Sequence, residues 1–457
     1  MKRVQRLAAA ALLFATLPAG AAVETLQKAM ADSYQTNPTL AAARDKVRVA
    51  DEQVSLALSS LRPSLAFQGS VGTLVAHQWE SFAPWGAPTQ NATFNYTPRT
   101  LQVSATQAIY HAGALSAGVT ATEAQVGVQL AQLVGTEQSV LFKVGSACAS
   151  IILASNTLAL AQEYEEALVK ARDGVALLTG NKDRTLTDLA QAQTRLASAR
   201  TDVAQARAQL AGARAAFEAA VGRPAAGVPE AIDLKLPAAT EEASLDIALQ
   251  RNPSIVGSRF ALAAAESGVD VAVGNWLPAI DANAFYLYAK QQAAGTTLSQ
   301  DREAWLNFSF PIFSGGGPTS AIRQSGYLVA QRQYDLQEAE IATTASLRQA
   351  WQAVITARDV LATRVVQSDA AARALVGVKR QHARGMRTFL DTLDALRESI
   401  NIRVDVVKAQ SNLTTAQLQL LAASGGLTAG ELGLPVSLWD NAPYLRAARE
   451  AWQDLGQ

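Results

Sequence analysis

The sequence has one cysteine and three histidines in 457 residues. A single thiol, Cys148, leaves nothing to form an internal disulfide with. Its neighbours Ala147, Ala149, Ile151 and Ile152 make it read as a small buried hydrophobe. His77, His111 and His382 lack metal-ligand spacing, and no nucleophile, base and orienting acid recur together. Neither a catalytic set, a metal centre nor a cofactor is expected. The Gly315–Gly317 run lacks the Lys-Ser/Thr of a phosphate loop, so these read as turn glycines. Charge of one sign is also lacking: 39 basic residues face 39 acidic ones, which argues against nucleic acid as a partner. Charged residues make up 17% and aromatics 6%, a profile that suits long helices packed through small side chains. Past the N-terminus no apolar run of about 20 residues is apparent, so spanning helices are not expected.

The N-terminus reads as a secretory signal over residues 1–21. Lys2, Arg3 and Arg6 precede an apolar run, Leu7 to Leu17, and Ala19-Gly20-Ala21 offers a cleavage site. After it the chain repeats itself. Asn37-Pro38 recurs as Asn252-Pro253 and Pro63 as Pro278, both at an offset of 215 (252 − 37; 278 − 63). Further on the offset is 203: Ile109 matches Ile312, Gly113 matches Gly316, and Arg184, Thr185 and Asp188 match Arg387, Thr388 and Asp391. The spacing predicts a first repeat over 22–222, a linker over 223–240, a second repeat over 241–425 and a tail over 426–457.

Each repeat has the same order. Asn-Pro predicts a helix start, with Asn as the cap and Pro in the first turn. Period-2 alternation then predicts strands at about 64–75, 100–110, 279–289 and 304–313. Ile280, Ala282, Ala284, Tyr286 and Tyr288 share one face, as do Leu306, Phe308, Phe310 and Ile312; Asp281, Asn283, Asn307 and Ser309 lie opposite. Loops are expected at 76–99 and 290–303. Residues 114–179 contain no proline and predict a helix of about 100 Å. A heptad through Leu189, Ala192, Leu196, Ala199, Val203, Ala206, Leu210, Ala213 and Phe217 predicts a left-handed coiled coil in the helix over 186–221, with a matching helix over 388–423.

Four strands per chain cannot cross a bilayer with open edges. Three copies supply twelve, an even number that closes a barrel. The expected fold class is therefore a mixed α and β membrane protein: a homotrimeric 12-stranded β-barrel continued by an α-helical coiled-coil barrel, with an internal duplication. The bland alternative is a soluble helical rod with small hairpins.

The repeated Asn-Pro, Pro63/Pro278 and "FPIFSGGG" at 310–317 resemble the TolC-like outer-membrane efflux family over nearly the whole mature chain. HARGMRTFLDTLD at 382–394 is similar to that family's periplasmic tip segment, Tyr-x-x-Gly-x-Arg-x-x-x-Asp-x-x-Asp. The resemblance implies that Gly385 makes the turn, Arg387 helps hold the entrance closed, and Asp391 and Asp394 ring the constriction. His382 replaces the family's Tyr; Asp188 matches a further tip Asp. In the first repeat Lys182 stands opposite Gly385, with Gly180 two residues earlier. The tail from Leu427 to Pro435, with Asp440, Pro443, Tyr444 and Trp452, resembles the type I protein secretion branch. The implied function is an exit duct of a tripartite export system in the outer membrane, its helical part in the periplasm. The implied partners are two further copies, a periplasmic adaptor, an inner-membrane transporter, outer-membrane lipid and an exported protein; the alternatives are small-molecule efflux and, on a different plan, a trimeric adhesin.

Overall fold

A computed structural model describes residues 25–79, 91–180, 186–230, 234–293 and 296–450. The signal peptide, Lys182, Arg184, Thr185 and Trp452 lie outside them. In chain order the first repeat comprises α1 (Leu26–Thr36), α2 (Pro38–Ser59), β1 (Ser64–Val71), β2 (Leu74–Trp79), β3 (Asn91–Tyr96), β4 (Arg99–Tyr110), α3 (Ala114–Gly180) and α4 (Leu186–Val221). The second comprises α5 (Glu241–Arg251), α6 (Pro253–Gly274), β5 (Ala279–Ala293), β6 (Thr296–Ser309), α7 (Gly317–Ala383) and α8 (Phe389–Ala423); α9 (Ala442–Glu450) lies in the tail.

The caps explain why the two repeats fold alike. Asn37 Oδ1 accepts from Thr39 N and Leu40 N, and Asn252 Oδ1 accepts from Ser254 N, so each satisfies orphan donors at a helix start. Each Asn also donates from its amide nitrogen to the far end of a long helix of its own repeat: Asn37 to Ala220 O at 3.2 Å, Asn252 to Ala423 O at 3.0 Å. One residue thus fixes where a short helix meets a long one. Beside the second junction, Gly425 has φ +82°, and a Cβ there would lie 2.8 Å from Arg251 O. Both backbone conformation and close approach require glycine.

The long helices pair as α3 with α4 and α7 with α8; α3 also packs on α2, α6 and α8, and α6 packs on α7. The helices α3 and α7 have 67 residues each, about 100 Å at 1.5 Å per residue. The heptad faces inward as expected: Ala192, Leu196, Ala199, Val203, Ala206 and Phe217 are buried. Cys148 is buried in the central cluster with Met30, Leu141, Ile151, Phe217 and Leu418. One expectation fails here. Helix α3 does contain a stretch long and apolar enough to cross a membrane, of mean hydropathy 1.6. Much of that apolar surface packs on α2, α6 and α8, because α3 is the helix touching most others.

The four-stranded antiparallel sheet has the order β1-β4-β5-β6, leaving β1 and β6 as edges. The strands β5 and β6 run further than the alternation suggested, whereas β1, expected over 64–75, stops at Val71, and residues 74 and 75 belong to β2. Residues 290–293 and 296–303, expected as loop, continue β5 and β6. Within the expected loop at 76–99, β2 and β3 form a separate hairpin, and residues 80–90 lie outside the described ones. Conversely β6 ends at Ser309, so Phe310 and Ile312 lie past it. Backbone pairing extends the ladder through polar residues such as Ser299 and Gln300, where side-chain alternation carries no signal. Cross-strand registers join Phe67 to Val103, Val103 to Tyr286 and Ile280 to Phe308, one apolar face. Asp281 opposite Asn307 and Thr106 opposite Asn283 lie on the other. Phe285 and Trp305 depart from the plan: they sit on the polar face and meet edge-on at 5.6 Å.

The tail is strapped onto α2. Asn441 Nδ2 donates to Asp51 Oδ1 at 3.0 Å, and Tyr444 Oη to Glu52 Oε1 at 2.8 Å. Asp51 is fully buried. Burial pushes its carboxyl above the ordinary range, and the Asn441 bond only partly opposes this. Asp51 Oδ2 and Asn441 Oδ1 are buried without partners; a proton on Asp51 would supply a second bond between the two side chains. An acid whose native pKa is raised holds its proton longer in the folded state. Stability therefore falls as pH rises from the unfolded value of about 4 through the raised one. Asp51→Asn mimics the protonated pair with two amides. It is expected to stabilise the channel by about 1–2 kcal/mol at neutral pH and to flatten that pH dependence. Unfolding followed across pH checks this; a variant less stable at neutral pH would show that Asp51 is charged in the fold.

Candidate functional site

The turn between α7 and α8 is built from local rules. Helix α7 closes with Gly385 N donating to His382 O at 2.9 Å and Met386 N to Gln381 O at 3.0 Å. Gly385 takes φ +76°, the left-handed conformation such a cap needs. Helix α8 then opens with a capping box. Thr388 Oγ1 accepts from Asp391 N at 3.1 Å, and Asp391 Oδ2 accepts from Thr388 N at 2.9 Å. Thr388 Oγ1 also donates to the same carboxylate at 2.8 Å. These bonds from Thr388 hold the Asp391 carboxyl below its ordinary range, with the charges of Arg387 and His382 adding to the effect.

His382 Nδ1 lies 2.9 Å from Arg387 O, so the residue in the family's Tyr position still pins the turn. Arg387 Nε donates to Gln381 Oε1 at 3.3 Å, which lays the guanidinium across the end of α7. Asp394 is engaged differently from Asp391. Arg195 Nη1, on α4, donates to Asp394 Oδ1 at 2.7 Å. The Arg195 side chain is 26% exposed and that of Asp394 64%. Arg195 also approaches the buried Tyr164 on α3, whose phenol burial raises above its ordinary range while nearby arginines oppose the shift. One guanidinium thus joins α3, α4 and α8. Above it Arg403 Nη1 donates to Glu163 Oε1 at 2.6 Å, a second tie between the repeats. Between these bonds lies a small apolar cluster with Leu160, Leu168, Leu196, Leu393 and Ile400. Asp188 lies in the first turn of α4, where a carboxylate faces the positive helix end.

The structure therefore gathers Gly385, Arg387, His382 and Asp391 in one turn, with Asp394 one turn further along α8. Sequence reasoning missed Arg195, Tyr164 and Thr388. The Thr388-x-x-Asp391 spacing was a readable capping-box signal. Arg195 had none, because its partner is 199 residues away.

A sheet with two open edges and one apolar face, joined to two 67-residue helices, has the features of an outer-membrane channel subunit. The family model described as "Outer membrane efflux protein" matches residues 30–223 and 244–426, and the chain belongs to that family. It is 28% identical to the outer membrane efflux protein BepC of Brucella suis over 455 residues, covering 98% of this chain and 96% of that one. It is 25% identical to the alkaline protease secretion protein AprF of Pseudomonas aeruginosa over 196 residues, 41% of this chain and 40% of that one. Among solved structures, the Campylobacter jejuni CmeC outer membrane channel superposes with a TM-score of 0.76 at 16% identity, covering 93% of this chain and 89% of that one. The fold is that of the trimeric channel-tunnels: four strands per chain closing as twelve, continued by helices into the periplasm. The protein is an outer-membrane export channel, not an enzyme.

Proposed function

We propose that the chain is the outer-membrane duct of a tripartite protein-secretion system, closed at rest by contacts between the tips of its two repeats. The observation that carries the gate is the Arg195–Asp394 bond, which joins α4 to α8 near the α7–α8 turn. Arg387, turned onto Gln381, stands ready to reach Asp188 of a neighbouring copy, and His382 holds its backbone. An adaptor that separates the α7–α8 hairpin from α4 breaks these bonds and opens the entrance, a two-state change biased by local contacts. An inner-membrane transporter would then feed the duct.

Protein cargo is supported by the tail's likeness to the type I secretion branch and by the name of AprF. Small-molecule efflux is the second reading, favoured by the name of BepC, which matches along the whole chain. Deleting the gene separates them. Loss of a protein from the culture medium with unchanged drug susceptibility is expected. Raised susceptibility with an intact set of exported proteins would reject secretion.

A further inference from the structure

The charged residues of the four-stranded sheet are sorted by sign. Strand β1 has none. Across β4, β5 and β6 the cations are Arg99, Lys290 and Arg302, and the carboxylates are Asp281, Asp301 and Glu303. Cross-strand partners point to the same face. Arg99 pairs with Lys290, Lys290 with Leu298, and Arg302 with Tyr286. Since β5 residues alternate, Lys290 shares the face of Tyr286 and Tyr288, the apolar one. Asp281 pairs with Asn307, Asp301 with Leu287 and Glu303 with Phe285, all on the opposite face. Three cations therefore stand on the apolar face and three carboxylates on the polar face.

A cation on a lipid-facing surface is costly unless it reaches an anion at the membrane boundary. The position of Arg99 and Lys290 fits that boundary. Strand β5 leaves the helical part at Ala279 and turns back after Ala293, so Lys290 lies near the end remote from the helices, on the extracellular side. Arg302 pairs with Tyr286 midway along the strands, about 13 Å nearer the helices than Lys290, its guanidinium over that ring at 5.5 Å. An arginine stacked on an aromatic ring in this way keeps its donors free at the edge. Arg99 and Lys290 are both exposed, and like charges directly opposite each other repel. No ion pair with a carboxylate relieves them among the described residues, since the acids of the sheet point the other way. A bound anion would remove the repulsion.

We propose that Arg99, Lys290 and Arg302 form a binding site for the phosphate groups of an outer-leaflet glycolipid, its acyl chains lying on the apolar face below. The inference goes beyond the export reading and does not depend on how the entrance is gated. The two arginines bind phosphate oxygens through paired N–H groups and the lysine adds a point charge. The site also fixes the depth of the barrel in the bilayer.

The test uses the full-length trimer in non-ionic detergent with diphosphorylated lipid A as probe, read by native mass spectrometry. The wild-type trimer is expected to retain the lipid, and Arg99→Gln/Lys290→Gln/Arg302→Gln to lose it by about tenfold or more. A dephosphorylated lipid of the same acyl chains should bind the wild type no better than it binds the variant. Inorganic phosphate at matched concentration should not displace the lipid. Equal retention of the phosphorylated lipid by wild type and variant would overturn the site. Displacement by phosphate alone would make it a free-anion site instead. Should the triple variant fail to assemble, Lys290→Gln alone carries the same comparison, since that exposed side chain holds no contact within the chain that folding needs.

Discussion

Arg195→Ser combined with Arg387→Ser is expected to raise the single-channel conductance of the isolated channel several-fold, and Arg387→Ser alone to raise it as well. The reason is arithmetic on weak bonds. A half-exposed ion pair such as Arg195–Asp394 contributes about 0.5–1 kcal/mol. A trimer has three, and losing all of them shifts the closed state by about 1.5–3 kcal/mol, which is about 10- to 150-fold in population. Because the pairs are partly exposed, salt screens them, and the wild-type channel should open more readily at high ionic strength. Planar-bilayer recordings check both statements. Conductance held at the wild-type level in the double variant would reject the tip as a gate and leave the channel fold untouched.

Asp391→Asn/Asp394→Asn is expected to abolish most of the channel's preference for cations. In a trimer the two positions contribute six carboxylates near the periplasmic entrance, and rings of carboxylates attract cations. The two are not equivalent. Asp394 is neutralised by Arg195, whereas Asp391 is held in its charged form by Thr388. Asp391→Asn alone should therefore account for most of the change. Asparagine still accepts a hydrogen bond from Thr388 N, so the cap is weakened rather than lost. The sign of the pH dependence follows from the lowered carboxyl. The charge, and the capping that depends on it, is complete above the ordinary carboxylate value of about 4 and is lost only as pH falls through the lowered one. Cation preference should survive mild acid. Reversal potentials in a salt gradient measure it; an unchanged potential in the double variant would place both residues away from the conduction path.

These two results test different parts of the same turn, and they explain what sequence could and could not resolve about it. The capping residues act within three or four positions of one another, so Gly385, Thr388 and Asp391 are legible in HARGMRTFLDTLD alone. The resemblance to a tip segment pointed to Arg387, His382 and Asp394, of which His382 and Arg387 share the turn while Asp394 bonds to Arg195 on α4. It suggested two equivalent carboxylates, whereas their partners make them different. The same contrast holds in the barrel: alternation revealed the apolar face, and only the register revealed that Arg99 stands opposite Lys290.

The sequence by itself determined the duplicated plan, because its signals are local. Asn-Pro starts a helix wherever it occurs, glycines at positive φ end one, and periods of 2 and 3.5 mark the face each element must bury. It also determined the number of strands in the sheet, and hence the need for further copies to close it. The tertiary structure decided the rest. It decided that the apolar run of α3 packs against α2, α6 and α8 instead of spanning a bilayer. It decided that Asp51 is buried under Asn441, 390 residues later in the chain. And it decided that Arg195 meets Asp394. Those outcomes depend on which helices become neighbours, and an exposed-looking arginine carries no mark of its partner until the two long hairpins lie side by side.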